Sequence, residues 1–329
     1  MKHPPYQLRP NKAIDRMLLL SVIERLQQDR DLSQYTYFGF GGPFLSDIRL
    51  VSQYFPTLRF VSIEEDEDTH KRQKFHCPTK RLRLIHSSLF SYLQEDFASD
   101  ALAIFWLDYT DFSPSRLEEF GQVLDLLGCP SIVKVTVRAQ FDHSLLAAAH
   151  HLLNEEDAAK LRKATVEEWQ TQFGDYLPGP LEREDLERPR FAPIVQSMFQ
   201  VVAQKTLPSA GGKVFQLVHS CRYADGPQML SLTGVVCEAG HRAKVRADFA
   251  KWPHANLDWR GPDHIDVPNL SIKERLALEK HLPVRVRSGK ALQRSLGYLI
   301  DKSQTASERK LRQYKDYYQF YPVFAKVRV

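Results

Sequence analysis

Five short runs rich in β-branched and aromatic residues recur between residues 35 and 138, and they constrain this chain more than any other feature. They lie at 35–39, 58–64 (LRFVSIE), 82–86 (LRLIH), 101–107 (ALAIFWL) and 131–138 (SIVKVTVR). The segments between them, 44–54, 66–75, 88–95 and 114–127, carry apolar residues at helical spacing. Strands that alternate with helices pair in parallel, because a parallel pair needs a long crossover and a helix supplies it. A parallel sheet is then covered on both faces. Two longer β-rich runs follow, KVFQLVHSCRY (213–223) and PQMLSLTGVVCE (227–238), with Asp225-Gly226 between them. Asp-Gly between two such runs is a hairpin signal. The pattern predicts a Rossmann-like, doubly wound α/β fold, with a seven-stranded, mostly parallel sheet closed by an antiparallel hairpin.

The flanks read as helical appendages. Residues 11–29 place Ile14, Leu18, Val22 and Leu26 on one helical face behind Asn11 as a helix N-cap. A helical stretch at 141–172, a polar Pro-containing stretch at 174–193 and a helix at 194–204 together form an insertion over 141–212. Its His150 and His151 lie in an alanine-rich run and read as structural. Helices are predicted at 271–282 and 288–301. The tail 314–327 (Tyr314, Tyr317, Tyr318, Phe320, Tyr321, Phe324) reads as rings that bury against the body. The expected organisation is a helical segment over 1–30, an α/β domain over 31–240 and a basic region over 241–329.

Of the 329 residues, 43% are hydrophobic, enough for a substantial core. Cys77, Cys129, Cys221 and Cys237 are widely spaced, with no C-x-x-C pair and no histidine at ligand spacing, so reduced thiols are expected and no structural metal. There is no signal-peptide pattern and no apolar run near the ~20 residues that span a bilayer, so the expectation is a cytoplasmic protein without a membrane partner. The net charge of +5 is uneven. Residues 241–329 hold 19 Lys+Arg against 9 Asp+Glu, a net +10, which leaves −5 for residues 1–240. A basic appendage on an acidic body points to nucleic acid as a partner; protein partners are not legible.

Four stations carry the chemistry. The first is YFGFGG, in which Gly39, Gly41 and Gly42 follow a strand and precede a helix, an arrangement that lets backbone approach a ligand. A dinucleotide loop would carry a third glycine where this chain has Phe44. The second is Glu64, at the end of the next strand, where an acid accepts ribose hydroxyls. The third is His86-Ser87-Ser88, where Ser87 and Ser88 suit an adenine edge or equally an N-cap. The fourth is Asp108-Tyr109-Thr110-Asp111, beyond the fourth strand, where open α/β sheets bind ligands. Asp108 and Asp111 by themselves do not make a metal site.

These stations in this order resemble class I S-adenosylmethionine-dependent methyltransferases, and YFGFGG, SIEED and FWLDYTD are similar to a bacterial group labelled putative O-methyltransferases. The resemblance spans 31–240. It implies S-adenosylmethionine as cofactor, with Gly39, Gly41 and Gly42 beside its methionine and ribose parts, Glu64 on the ribose hydroxyls, and Asp108 and Tyr109 at the nucleophile. The cofactor has no pyrophosphate, which explains the tolerance of Phe44. One departure stands out: the family places an acid where this chain has Tyr37, and Asp47 or Asp15 would have to substitute. The expected function is methyl transfer to an acceptor that the sequence does not name, with nucleic acid favoured by charge. The alternative is a degenerate methyltransferase-like protein acting as a nucleic-acid-binding or assembly module. A nicotinamide dehydrogenase is disfavoured by Phe44 and by the hairpin.

Overall fold

The computed structural model describes residues 9–141, 155–208, 210–283 and 288–322. Its central sheet is built from β1 (Thr36–Gly39), β2 (Arg59–Glu64), β3 (Leu82–His86), β4 (Ala103–Asp108), β5 (Ser131–Arg138), β6 (Lys213–Ala224), β7 (Gln228–Glu238) and β8 (Asp263–Ile265). The order across the sheet is β3-β2-β1-β4-β5-β7-β6-β8. Strands β1 to β5 pair in parallel, and β7 runs antiparallel to β5, from Ser131 opposite Val236 to Arg138 opposite Met229. The predicted fold class holds. The sheet has eight strands rather than seven, because the three-residue β8 adds an edge too short to show a period in sequence.

The helices are α1 (Pro10–Asp29), α2 (Ser46–Tyr54), α3 (Glu67–His76), α4 (Leu89–Glu95), α5 (Pro114–Leu126), α6 (Glu155–Phe173), α7 (Arg188–Thr206), α8 (Arg242–Ala250), α9 (Ile272–Glu279), α10 (Gly289–Leu296) and α11 (Gln304–Tyr317). Alternation along the strands divides the core. Phe38, Val61, Ile63, Phe105, Leu107, Val133, Val135 and Val137 face α4, α5 and α7 in one buried cluster. Phe38 stacks on Phe105 with centroids 4.5 Å apart, and Phe120 of α5 meets Phe199 of α7 edge to face at 5.1 Å. The intervening residues of the same strands (Tyr37, Ile104, Trp106, Ile132, Lys134) supply the opposite face.

Strand β7 has one position that admits only glycine. A Cβ on Gly234 would lie 2.2 Å from the ring of Phe215 and 2.8 Å from the Gln216 carbonyl oxygen. Phe215 is itself buried and has little room to move. Gly234→Ala is expected to cost about 3 kcal/mol, the upper part of the range for overpacking, read as a lowered midpoint of denaturant unfolding.

The chain forms two compact units: residues 22–222 with 229–263, and residues 1–21 with 223–228 and 264–329. The first holds nearly all of the sheet. In the second, helix α1 starts at Pro10, so Asn11 sits inside the first turn and is not its N-cap. Asp225 takes over that role from the hairpin turn: its carboxylate accepts from the Lys12 backbone N–H and the Asn11 side chain, both at 2.8 Å. Asn11 in turn accepts from Val267 N–H at 2.9 Å. In the aromatic tail Tyr314, Tyr317 and Tyr321 are buried, and the Tyr321 hydroxyl donates to the Pro268 carbonyl of the same unit at 2.9 Å. Phe324, His150 and His151 lie outside the described residues. Among the described residues no helix is long and apolar enough to cross a membrane.

Candidate functional site

The sheet order reverses between β1 and β4, so the connections after these neighbouring strands depart in opposite directions and open a crevice beyond their carboxyl ends. The strand register brings the expected stations to that edge. Gly39 pairs with Ser62 on one side and Trp106 on the other, Glu64 pairs with His86, and Asp108 pairs with Thr136. Residues far apart in sequence thus end at one rim because each closes a parallel strand.

The glycine loop is held in a conformation that its composition anticipates. Gly41 and Gly42 have φ of +70° and +54°, values that cost a residue with a Cβ. A Cβ on Gly41 would also come within 2.7 Å of Leu45 Cδ2. Gly39 differs: a Cβ there would make only ordinary contacts, 3.4 Å from the Tyr37 ring and 3.5 Å from the Trp106 carbonyl. No such crowding demands glycine at 39. Leu45 has φ of +53° without being glycine and is fully buried, so packing holds it in that strained region.

Two buried polar side chains fasten the loop, and sequence reading did not find them. Gln73 of α3 is fully buried and donates from Nε2 to the carbonyls of Phe40 (2.8 Å) and Gly42 (3.2 Å). Ser62 of β2 donates to the Phe40 carbonyl at 2.9 Å and lies 3.2 Å from Gln73 Oε1. A polar pair on the inward side of a strand and a helix is the only trace this leaves in sequence. Gln73→Leu keeps the volume but strips the Gly42 carbonyl of its side-chain partner and leaves the Phe40 carbonyl with Ser62 alone, a loss of about 1–3 kcal/mol for a buried group. The expected result is a roughly tenfold weaker donor affinity in calorimetry.

Tyr37 stands where the resemblance noted in the sequence leads one to expect an acid. It is buried, its ring lies beside Gly39, and it tilts against Phe60 at 5.9 Å. Glu64 is half-buried, and burial pushes its carboxyl above the ordinary glutamate range although Oε1 accepts from Asp66 N–H at 3.0 Å. Ser87 N–H donates to the Glu64 carbonyl at 3.1 Å, tying the ends of β2 and β3 together. The Ser88 hydroxyl accepts from Ser91 N–H at 3.1 Å and N-caps α4. Of the two roles open to Ser88 in sequence, the structure displays the cap.

Asp108 ends β4 at the rim. Its neighbour Tyr109 turns inward: the ring is buried beside Phe40 at 5.3 Å, and the phenol donates to Glu119 Oε2 at 2.6 Å. Burial first, and then the Glu119 carboxylate, hold that phenol well above its usual pKa. Arg116 lies over the ring at 4.6 Å and pairs with Asp111 (3.2 Å) and Glu119 (3.3 Å). Asp111 is therefore engaged by a guanidinium.

The arrangement suits a ligand with an adenosine part and a short polar arm: an open glycine turn, an acid at the second strand, and a carboxylate across the crevice. The family model described as "Putative O-methyltransferase" matches residues 4–329. No curated protein gives a match. Among solved structures, the plantazolicin methyltransferase BamL, solved with a desmethyl-plantazolicin analogue and SAH, is 11% identical over 70% of this chain and 85% of its own, with a TM-score of 0.42. A putative O-methyltransferase from Nostoc punctiforme is 13% identical over 69% of this chain and 56% of its own, with a TM-score of 0.36. The fibrillarin pre-rRNA processing protein of Methanococcus jannaschii is 10% identical over 62% and 67%, also at 0.36. On the family match along nearly its whole length, the chain belongs to the "Putative O-methyltransferase" family and is an S-adenosylmethionine-dependent methyltransferase.

Proposed function

We propose that the crevice between β1 and β4 methylates an oxygen of its acceptor, with Asp108 as the proton-accepting group. The observation that carries this reading is the convergence of Gly39, Glu64 and Asp108 at one rim, produced by the strand register. When bound, S-adenosylmethionine supplies an electrophilic methyl already activated by its sulfonium. The chain's own work is then to bind, align and exclude water. Gly39, Gly41 and Gly42 present backbone to the donor, and the Tyr37 ring floors the turn. The Glu64 carboxylate accepts from the ribose hydroxyls. Ser87 lies at the adenine edge, and Ser88 steadies that loop by capping α4. Asp47, in the first turn of α2, supplies the carboxylate for the methionine amine that Tyr37 cannot provide.

On the acceptor side, Asp108 takes the hydroxyl proton as the oxygen becomes the nucleophile. Tyr109 acts as a positioning residue. Its phenol is held by Glu119, and its ring fixes Phe40 and the chain direction after Asp108.

The presence of Tyr37 where an acid is expected supports a second reading, a degenerate donor site on a binding module. Calorimetric titration of the protein with S-adenosylmethionine and its demethylated product separates the two. Saturable heat with both ligands supports the enzyme, and at about a hundred times Kd the melting curve should gain about 2.7 kcal/mol of stability. Absence of binding by either ligand would establish the degenerate reading.

A further inference from the structure

Beside the glycine loop lies a surface that the methyl-transfer reading does not use. Phe44 is 49% exposed and Phe75 is 86% exposed, although both are large apolar side chains. They are linked through His76, whose ring meets Phe44 and Phe75 with centroids 5.1 Å apart in each case. Arg72 lies over the Phe44 ring at 4.9 Å. Arg49 fastens the cluster from α2, donating to the Phe44 carbonyl at 3.2 Å and to the His76 carbonyl.

The charge around these rings is one-sided. Residues 71–83 (KRQKFHCPTKRLR) contain six Lys and Arg and no acid. Lys71 pairs with Glu67 at 2.9 Å. Arg72, Lys74, Lys80, Arg81 and Arg83 are exposed and have no carboxylate partner among the described residues. Arg81 donates to the Pro56 carbonyl at 2.7 Å, which places the α3–β3 connection against the end of α2. By contrast, several cations of the basic C-terminal region are already neutralised: Arg275 by Glu279, Arg309 and Lys310 by Asp266, and Lys310 also by Asp301.

Two exposed phenylalanine rings with the half-buried His76 between them offer π-faces, and cations without a carboxylate partner nearby offer sites for phosphates. Single-stranded nucleic acid needs both together, because its unstacked bases seek a platform while its backbone needs neutralising. A duplex keeps its bases stacked and cannot use the rings. An acidic protein would use the cations but has no general need of the platform. Glu67 and Asp68, in the first turn of α3, repel a polyanion from that end and leave the strand to the second half of the helix.

We propose that Phe44, His76 and Phe75, with Arg72, Lys74 and Arg81, form a binding surface for a single-stranded polynucleotide. The rings stack on two or three bases and the cations take the phosphates between them. Phe44 belongs to the same turn as Gly41 and Gly42, so a strand held here passes the mouth of the donor crevice. That makes single-stranded nucleic acid the acceptor class. This last step rests on the donor-site reading above, whereas the binding itself does not.

The test is fluorescence anisotropy with a labelled single-stranded RNA and a single-stranded DNA dodecamer, a duplex of equal length, and heparin as competitor, all without donor. Both single strands should bind at least tenfold more tightly than the duplex. Phe75→Ala should weaken them roughly tenfold, within the range for loss of one stacking platform. Phe75 is almost fully exposed, so this variant should keep the wild-type melting temperature. Lys74→Glu with Arg81→Glu should flatten the slope of log K against log salt by about 1.4, two phosphate contacts on a single strand. Equal affinity for the duplex or heparin, no response to Phe75→Ala, or preferential binding to phosphatidylserine vesicles would overturn the proposal. Donor titration of the same variants keeps the two readings apart: a dead donor site leaves this binding intact, and loss of this binding leaves the donor affinity unchanged.

Discussion

Asp108→Asn is expected to lower turnover by about 10²–10⁴, the span typical of a removed general base, while donor affinity stays at the wild-type value. The argument is geometric. Asp108 ends β4, level with Thr136 on β5, at the rim that Gly39 and Glu64 also reach. The amide keeps the size and the hydrogen-bonding reach of the carboxylate but cannot accept the acceptor's proton. The measurement is single-turnover transfer of labelled methyl at saturating donor, beside a calorimetric donor titration. A variant with full turnover would remove Asp108 from the proton path. A variant that lost donor affinity instead would move Asp108 to the donor side of the crevice.

Glu64→Ala is expected to weaken the donor about a hundredfold, since two hydrogen bonds to a charged acceptor are together worth about 3 kcal/mol when each lies at the low end of its range. The wild-type pH dependence provides a second readout. Burial disfavours the charged carboxyl and raises its pKa, so protonation sets in at a higher pH than for an ordinary glutamate. Donor affinity should therefore begin to fall, as pH is lowered, while exposed glutamates remain ionised. Glu64→Gln should abolish that limb. Stability carries the opposite sign. A carboxyl whose pKa is raised by folding contributes stability below its unfolded pKa and loses it as pH rises through the folded value. At neutral pH the buried charge is a cost, so Glu64→Ala should melt no lower than wild type. A large drop in melting temperature would mark Glu64 as structural.

Most of the sheet was legible because each strand carries its own evidence. The runs at 82–86 and 131–138 coincide with β3 and β5 residue for residue, and the other three parallel strands differ by at most two residues at an end. Buried parallel strands are apolar on both faces, and the helices between them are bounded by turn residues, so the signal is local. The short β8 was not legible, and neither was α8, whose sequence RAKVRADFA carries little apolar periodicity. The N-terminus of α1 was misplaced for a related reason. Asn11 is a good N-cap by composition, but the cap comes from Asp225, more than two hundred residues away, and no local rule anticipates it.

The candidate site divides in the same way. Gly39, Gly41, Gly42, Glu64 and Asp108 announce themselves by residue type at strand ends, because a ligand beyond a parallel sheet can be reached only from there. The orientation of Tyr109 was not announced: a phenol after a strand reads the same whether it faces the crevice or, as here, Glu119 on α5. Ser88 was open to two roles until α4 started directly after it. Gln73 and Ser62 have no motif at all, since their value lies in meeting the Phe40 and Gly42 carbonyls across three elements.

From sequence alone, then, came the alternating architecture, the closing hairpin and the residues at the strand ends, because periodicity and turn chemistry act over a few residues. The tertiary structure alone decided which polar side chains turn inward to hold the loop, which phenol is taken by a neighbouring helix, and which cations find no carboxylate. Those outcomes depend on what stands opposite each group once the helices are packed, and burial charges every polar atom for lacking a partner.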